Sequence, residues 1–214
     1  TDAISYNVYR DTTLAFTPDK ANGTNRVATH ITDSDPDIEG IQWEDKIDET
    51  DKYYFYVVTA VDEALNESED SPKACYVNFK LYTTTGTNYT WIVLPFLSDI
   101  ITAEELGEKI GEECISVGKF DSETQSYITH LFGTPLFNFP VIAGHPYRIE
   151  VKTETEHRME GKTVGDIQLQ LVATPGTNYN WLMLPFSKDY ITTAEELADD
   201  IGEACISVSK FDPI

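Results

Sequence analysis

Alternating apolar and polar positions run through the first third of the chain and predict short β-strands. The clearest patterns are Ile4–Tyr9, Arg26–Ile31 and Tyr53–Val61, and Lys73–Val77 follows after a polar turn. Alternation of this kind places one set of side chains on a buried face and the other in solvent. Because polar turns separate these runs and no helical period intervenes, this region is predicted to be a β-sandwich.

The remainder of the chain contains the same sequence blocks twice. The segment GTNYTWIVLPF recurs as GTNYNWLMLPF, the pentapeptide TAEEL recurs unchanged, and CISVGKFD recurs as CISVSKFD. These blocks occupy residues 86–121 and then 176–212. Three blocks in the same order indicate a duplicated module.

Each repeat is predicted to combine strands with one short helix. In the first, Tyr89–Phe96 is an apolar run expected to form a buried strand, and Cys114–Phe120 alternates as a half-buried one. Between them, Thr102 with Glu105 three residues later forms a capping box that begins a helix, and Gly111 ends it. The matching residues of the second repeat predict the same elements.

Two further strands are expected in the first repeat, Tyr127–Phe132 and the end of Pro140–Val151. The polar residues 152–166 are expected to form an exposed connection or hairpin, and Asp166–Val172 alternates again at the start of the second repeat. The second repeat lacks the strands that follow Phe120 in the first. A half-module of this kind leaves an open sheet edge and an unburied face.

The predicted fold class is therefore mainly β, a β-sandwich followed by duplicated small α+β modules with one short helix each. The predicted domains are a sandwich at 1–79, a first repeat at 80–166 and a truncated second repeat at 167–214.

Four motifs in the sandwich resemble those of bacterial or archaeal fibronectin type III modules. They are Tyr6–Arg10 (YNVYR), Trp43–Asp45 (WED), Tyr53–Asp62 (YYFYVVTAVD) and Asn66–Ser68 (NES). The resemblance covers roughly residues 3–78 and implies a β-sandwich, but the family's first two strands, which would precede Tyr6, are missing. The duplicated modules are similar to repeats found beside such domains in large microbial cell-surface proteins.

Three explanations account for the incomplete sandwich and the incomplete second repeat. The chain is an excerpt of a longer tandem polypeptide, or neighbouring chains complete each other by strand exchange. In the third, a compact fold supplies the missing strands from within the chain.

Charge and composition narrow the classes of partner. Fifteen Lys and Arg against 37 Asp and Glu give a formal net charge of −22, which excludes nucleic acid and anionic membrane surfaces as partners. The longest apolar stretch, Trp91–Leu97, contains a proline and is far shorter than the roughly 20 residues that cross a bilayer.

Three cysteines, Cys75, Cys114 and Cys205, are too few for a disulfide framework, and an odd count leaves at least one free thiol or an intermolecular bridge. Cys114 and Cys205 are expected to be small core residues.

An acidic segment offers a candidate calcium site. Asp33, Asp35, Asp37 and Glu44 supply carboxylates at spacings that resemble an EF-hand loop. However, Ile38 stands at the sixth position, where that loop needs glycine, and no flanking helices are predicted. The alternative is a solvated acidic loop.

Four aromatic residues are candidates for carbohydrate binding. Tyr89 and Trp91, with their matching residues Tyr179 and Trp181, alternate along a strand and so share one face. Planar rings of this kind stack on sugars, but burial in a core is the alternative.

Other motifs are weaker. Asn22, Asn66 and Asn88 match the acceptor pattern for N-glycosylation near predicted turns. The histidines are dispersed, and the glutamate pairs at Glu104 and Glu195 lie in first helical turns, where they complement the helix dipole. No catalytic residue is therefore predicted.

These observations lead to the expectation of a non-enzymatic, extracellular or cell-surface structural protein. It would be a tandem-module component of a filament, sheath, surface layer or adhesin stalk, without a cofactor or with calcium. Its expected partners are like subunits or neighbouring modules joined by strand-edge pairing, and glycans, with no nucleic acid and no membrane insertion. The alternative is a carbohydrate-binding accessory segment of a secreted polysaccharide-degrading enzyme. A third hypothesis is a calcium-dependent adhesin.

Overall fold

The computed structural model describes residues 3–32, 41–47, 49–83, 89–164, 170–173, 176, 178–184, 188 and 190–210. Within these ranges the chain forms ten strands and two short helices, which confirms the predicted mainly β class. In chain order they are β1 (Ser5–Asp11), β2 (Arg26–Ile31), β3 (Tyr53–Val61), β4 (Ala74–Leu81), β5 (Tyr89–Val93), β6 (Phe96–Leu97), α1 (Ala103–Ile110), β7 (Cys114–Asp121), β8 (Ser126–Leu131), β9 (Pro146–Val151), β10 (Thr155–Thr163) and α2 (Ala194–Ile201).

The strands form two antiparallel sheets. Sheet A has six strands in the order β2-β1-β3-β4-β10-β6, and sheet B has four in the order β5-β9-β7-β8. The bounds of β2 and β3 are those that the alternating pattern predicts. The predicted boundary at residue 79 falls inside β4, so segments from both sides of it contribute to sheet A. The division into domains stays a prediction.

The expected exposed connection or hairpin at residues 152–166 is wrong over most of its length, because β10 lies there inside sheet A and does not pair with β9 of sheet B. β10 pairs with β4 along its whole length and places Met159 opposite Val77. Met159 is the only buried apolar side chain of this strand, so the sequence shows no alternation of apolar residues. A Cβ at Gly161 would come within 2.1 Å of the Leu97 carbonyl oxygen, so glycine permits the close approach of β6.

The apolar run Tyr89–Phe96, expected to be one buried strand, is divided between the two sheets. Its first part is β5 at one edge of sheet B, and Phe96 begins β6 at one edge of sheet A. Pro95 lies at the division, and proline has no N–H to donate to a strand ladder. The run is therefore apolar because it passes through the core between two sheets.

One hydrophobic core lies between the two sheets and α1. Sheet A contributes the side chains at alternate positions of β3 and β4 to this core, and sheet B contributes the side chains of the face that is turned toward sheet A. The core includes Tyr9, Phe55, Val57, Val77, Leu81, Ile92, Leu106, Val117, Ile149 and Val151. Because these side chains form a single cluster, sheet A and the first repeat stabilise each other.

The two helices share a sequence pattern but differ in burial. The predicted capping boxes are confirmed at Thr102 with Glu105 and at Thr193 with Glu196. In α1 the residues Ala103, Leu106, Gly107 and Ile110 are buried, whereas α2 buries none of its residues. A capping box therefore forms from local sequence, while burial depends on the strands that pack against the helix.

The strands predicted for the second repeat do not form in its described residues. Residues 170–173, 178–184 and 203–210 contain no strand, although 205–210 match the start of β7. Cys205 is partly exposed, so the expected core position holds for Cys114 and is wrong for Cys205. A strand needs neighbours to pair its backbone groups, and no described strand lies beside residues 205–210.

Candidate functional site

Four aromatic side chains pack together on the outer face of sheet B, the face turned away from the core. This aromatic cluster consists of Trp91 of β5, Phe120 of β7, Tyr127 of β8 and Trp181 of the second repeat. Trp91 and Trp181 stack with ring centroids 4.4 Å apart and an interplanar angle of 22°. Phe120 and Tyr127, which are cross-strand partners, meet edge to face at 5.3 Å. These are favourable geometries for aromatic pairs.

A cation lies beside the aromatic cluster. The Arg148 guanidinium stands 4.0 Å from the ring centroid of Tyr89 and 4.7 Å from that of Tyr127. Its Nη2 donates to Thr129 Oγ1 at 3.1 Å. Gly118 of β7 lies between Arg148 of β9 and Thr129 of β8. A Cβ at Gly118 would come within 3.2 Å of Arg148 Nε, so glycine leaves room for the guanidinium. Cation–π contacts with two rings hold Arg148 beside the aromatic cluster.

A backbone contact reinforces the docking of the second repeat. The Gln125 side chain donates from Nε2 to the Tyr179 carbonyl at 3.1 Å, and the Tyr179 N–H donates to Gln125 Oε1 at 2.8 Å. An amide side chain thereby satisfies both backbone groups of Tyr179, as a neighbouring strand would. Contacts from two residues of the second repeat that are two positions apart, Tyr179 and Trp181, thus fix it to sheet B.

The four residues predicted to bind carbohydrate have different environments. Trp91 and Trp181 cover each other's ring faces, and Tyr89 has Arg148 over its ring. Tyr179 is 61% exposed. Sugar binding stays a prediction, and stacking of a sugar between the tryptophans would require Trp181 to leave Trp91.

The candidate calcium residues are only partly described. Asp33, Asp35 and Asp37 lie outside the described residues. Glu44 is exposed and lies 3.8 Å from Arg158 Nη1, so it faces a cationic side chain. Within the described part of the chain, no group of three or more His, Cys, Asp and Glu could hold a metal ion. Calcium binding stays a prediction.

Two of the three predicted glycosylation sites can be located. Asn22 and Asn66 are exposed in turns, and the Nδ2 atoms donate to Asp19 at 3.3 Å and to Asp62 Oδ2 at 3.0 Å. Asn88 lies outside the described residues. Attachment of glycans stays a prediction.

Sequence patterns did not reveal a buried contact between His130 and Glu104. His130 is fully buried, its Nε2 lies 2.5 Å from Glu104 Oε2 and its Nδ1 lies 2.7 Å from the Leu136 carbonyl. Glu104 also accepts from the Gly133 N–H. The contact joins α1 to β8 and the following turn, so its place in the fold is structural. No local signal predicts it because the two residues are far apart in sequence.

A second polar network closes one end of sheet A. Glu67 accepts hydrogen bonds from Tyr9 Oη at 2.7 Å and Thr59 Oγ1 at 2.6 Å, and Arg26 Nη2 lies 2.8 Å away. Burial by itself raises the pKa of Glu67, but the bonds from Thr59 and Tyr9 and the charge of Arg26 lower it overall. The network fixes the turn after β3 to β1 and β2.

Comparisons of the chain with protein-family models, curated proteins and solved structures give no match. The resemblance to fibronectin type III modules stays a prediction from the sequence motifs. No helix in the described ranges is long and apolar enough to cross a membrane.

Proposed function

We propose that this chain is a non-enzymatic structural component of an extracellular or cell-surface assembly. In this function its modules associate with neighbouring modules or with like subunits to build a filament, sheath, surface layer or adhesin stalk. The observation that carries the proposal is the stacking of Trp181 on Trp91, because it joins one repeat to the next through residues at matching positions.

Four further observations support this role. The side chain of Gln125 adds a two-bond contact to the same junction, so successive repeats dock in a defined register. The apolar residues Leu197 and Ile201 of α2 are only half-buried, as expected of a module that is completed by a neighbour. The charge of −22 keeps such a surface hydrated, and the exposed Asn22 and Asn66 sequons suit a secreted protein.

Imaging of the native material tests the proposal. The protein, purified from its source without denaturant, is examined by negative-stain electron microscopy, and antibodies to the chain are located by immunogold labelling on intact cells. Filaments or sheets with a spacing near the size of this chain, together with surface labelling, are expected. Dispersed particles with labelling confined to the cell interior would contradict the proposal.

A glycan-binding assay addresses the alternative. The same purified protein is applied to immobilised polysaccharides, beside Trp91→Ala and Tyr179→Ala variants that are shown to be folded. The proposed function predicts no retention. Retention that both substitutions abolish would favour the carbohydrate-binding accessory segment.

A further inference from the structure

An apolar groove crosses the face of sheet A that points away from the core. Its volume is about 1100 Å³, and Tyr6, Val8, Tyr56 and Val58 form part of its floor. Residues 41–47 pass over this face and form one wall, held where Asp45 accepts from Arg10 at 2.7 Å and from Tyr56 at 3.0 Å. Among the described residues, sheet A therefore has the core on one side and residues 41–47 as the covering segment on the other.

The covering segment, residues 41–47, has exposed apolar side chains and no backbone pairing with the rest of the described chain. No backbone hydrogen bond joins residues 41–47 to any other described residue. Ile41 and Trp43, which line the groove, are 39% and 38% exposed. Backbone N–H and C=O groups that no other described backbone group pairs, beside an apolar groove, form a template for an added β-strand, because pairing satisfies the backbone while the groove accepts alternate side chains.

The second repeat contains a segment suited to such pairing. Residues 205–210 match the start of β7, which is a central strand between β8 and β9 in the first repeat. In the second repeat this segment is not a strand, and Ile206 is 94% exposed. No hydrogen bond joins 206–210 to another described segment of the chain. The same molecule thus shows that this sequence forms a strand when neighbours are present.

We propose that residues 204–210 of one chain add as a β-strand beside residues 41–47 of a second copy of the chain. The two segments have the same length, and alternation directs Ile206 and Val208 together toward the groove. Carboxylates outnumber basic groups along the groove, where Glu44, Asp99 and Glu160 lie, which suits Lys210 on the added strand. The inference deepens the proposed structural function by naming the segments that join subunits.

The geometry of this joint is heterologous, because the donor and the acceptor are different surfaces. Each chain has one of each, so successive chains add head to tail and growth is open-ended unless the rotation closes a ring. The charge of −22 on every chain opposes association at long range, and salt screens that repulsion. Association is therefore expected to strengthen as salt concentration rises.

Sedimentation of the 214-residue chain under reducing conditions provides the first test. The wild-type chain is expected to form a concentration-dependent series of oligomers. Ile206→Asp in the donor and Trp43→Asp in the acceptor should each weaken association roughly tenfold or more, because a buried apolar contact is replaced by a charge. Leu136→Asp, at an exposed apolar site outside both segments, is the matched control and should leave association unchanged.

Mixing the two defective chains provides a decisive second test. The Trp43→Asp chain keeps an intact donor and the Ile206→Asp chain keeps an intact groove, so together they should form a 1:1 dimer that grows no further. Absence of this dimer, with both variants folded by circular dichroism, would overturn strand donation, as would a wild-type chain that stays monomeric at every concentration.

Crosslinking checks the contact without a destabilising substitution. Cys205 lies in the donor, while Cys75 and Cys114 are buried. Cys205 is directed away from the groove, as are Gln42 and Lys46, which do not line it. Gln42→Cys in a parallel pairing, or Lys46→Cys in an antiparallel one, should therefore form an intermolecular disulfide with Cys205 on mild oxidation, and Leu136→Cys should not. If native filaments are observed but neither the mixed dimer nor the crosslink forms, the structural function stands and this joint is wrong.

Discussion

Trp91 and Trp181 stand at matching positions of two repeats and stack face to face at 4.4 Å. In the first repeat the tryptophan belongs to an edge strand, and in the second it lies on a segment with no strand pairing. The residues that match in sequence therefore hold the two repeats together although their backbones differ. The strength of this junction can be measured.

Trp181→Ala is expected to release the second repeat from sheet B. Removing a partly buried stacked ring should cost about 1–2 kcal/mol at the junction, since aromatic pairs contribute roughly 0.5–1.5 kcal/mol beyond area burial. Limited proteolysis should then cut residues 170–210 faster, while the melting of the rest of the chain changes little. Tyr179→Ala is the control, because its exposed ring leaves the backbone contact to Gln125 in place. Equal cleavage rates for the two variants would refute the role of the stacked pair.

Gly107→Ala should destabilise the first repeat even though alanine favours helices. A Cβ at Gly107 would stand 2.6 Å from Cδ2 of Phe132, so the ring must move, and such overpacking costs about 1–3 kcal/mol. The measurement is the free energy of unfolding in urea. Ala198, at the matching position of α2, tolerates a side chain, and Ala198→Gly serves as the matched control with no effect on this core.

A double variant separates the steric effect from other causes. Phe132→Ala removes the ring that opposes Gly107, so adding Gly107→Ala to it should cost less than Gly107→Ala alone. Strict additivity of the two free energies would show that the contact with Phe132 does not explain the glycine.

The Glu67 network should make stability fall at acid pH. The folded-state pKa of Glu67 is lowered. Its contribution to the free energy of unfolding is therefore fully present above the unfolded-state pKa of about 4.3, and it is lost as the pH falls through the folded-state pKa. Glu67→Gln should lose about 1–3 kcal/mol at pH 7 and show a flatter acid limb than wild type. Thermal melts of both proteins between roughly pH 7 and pH 3 measure how stability changes with pH. The exposed Glu63→Gln is the control, and the prediction fails if both variants follow the wild-type profile.

The three cysteines should differ sharply in reactivity. Burial raises the pKa of Cys75 to about 12 and, with a smaller effect of Glu104, that of Cys114 to about 11, so both stay as unreactive thiols near pH 8. A thiol reagent should therefore modify Cys205 alone in the native chain and all three in denaturant. Cys205→Ser should remove the rapid reaction, and rapid modification of two or more native thiols would contradict the buried core described above.

The sequence by itself determined the elements whose cause is local. Alternation fixed the bounds of β2 and β3, and Thr102 and Thr193 each predicted a capping box that forms in the fold. Side-chain periodicity and caps act within a few residues, so a single sequence suffices to predict them. The charge of −22 was likewise read without a structure.

Only the tertiary structure decided which segments find partners. β10 is a strand because β4 and β6 flank it, although its polar sequence predicts an exposed connection. The sequence CISV begins the central strand β7 beside β8 and β9, yet the matching residues 205–210 form no strand, because backbone hydrogen bonds in a sheet require a neighbouring strand and none is described beside them. The stacking of Trp181 on Trp91 and the open groove on sheet A follow from the same non-local packing.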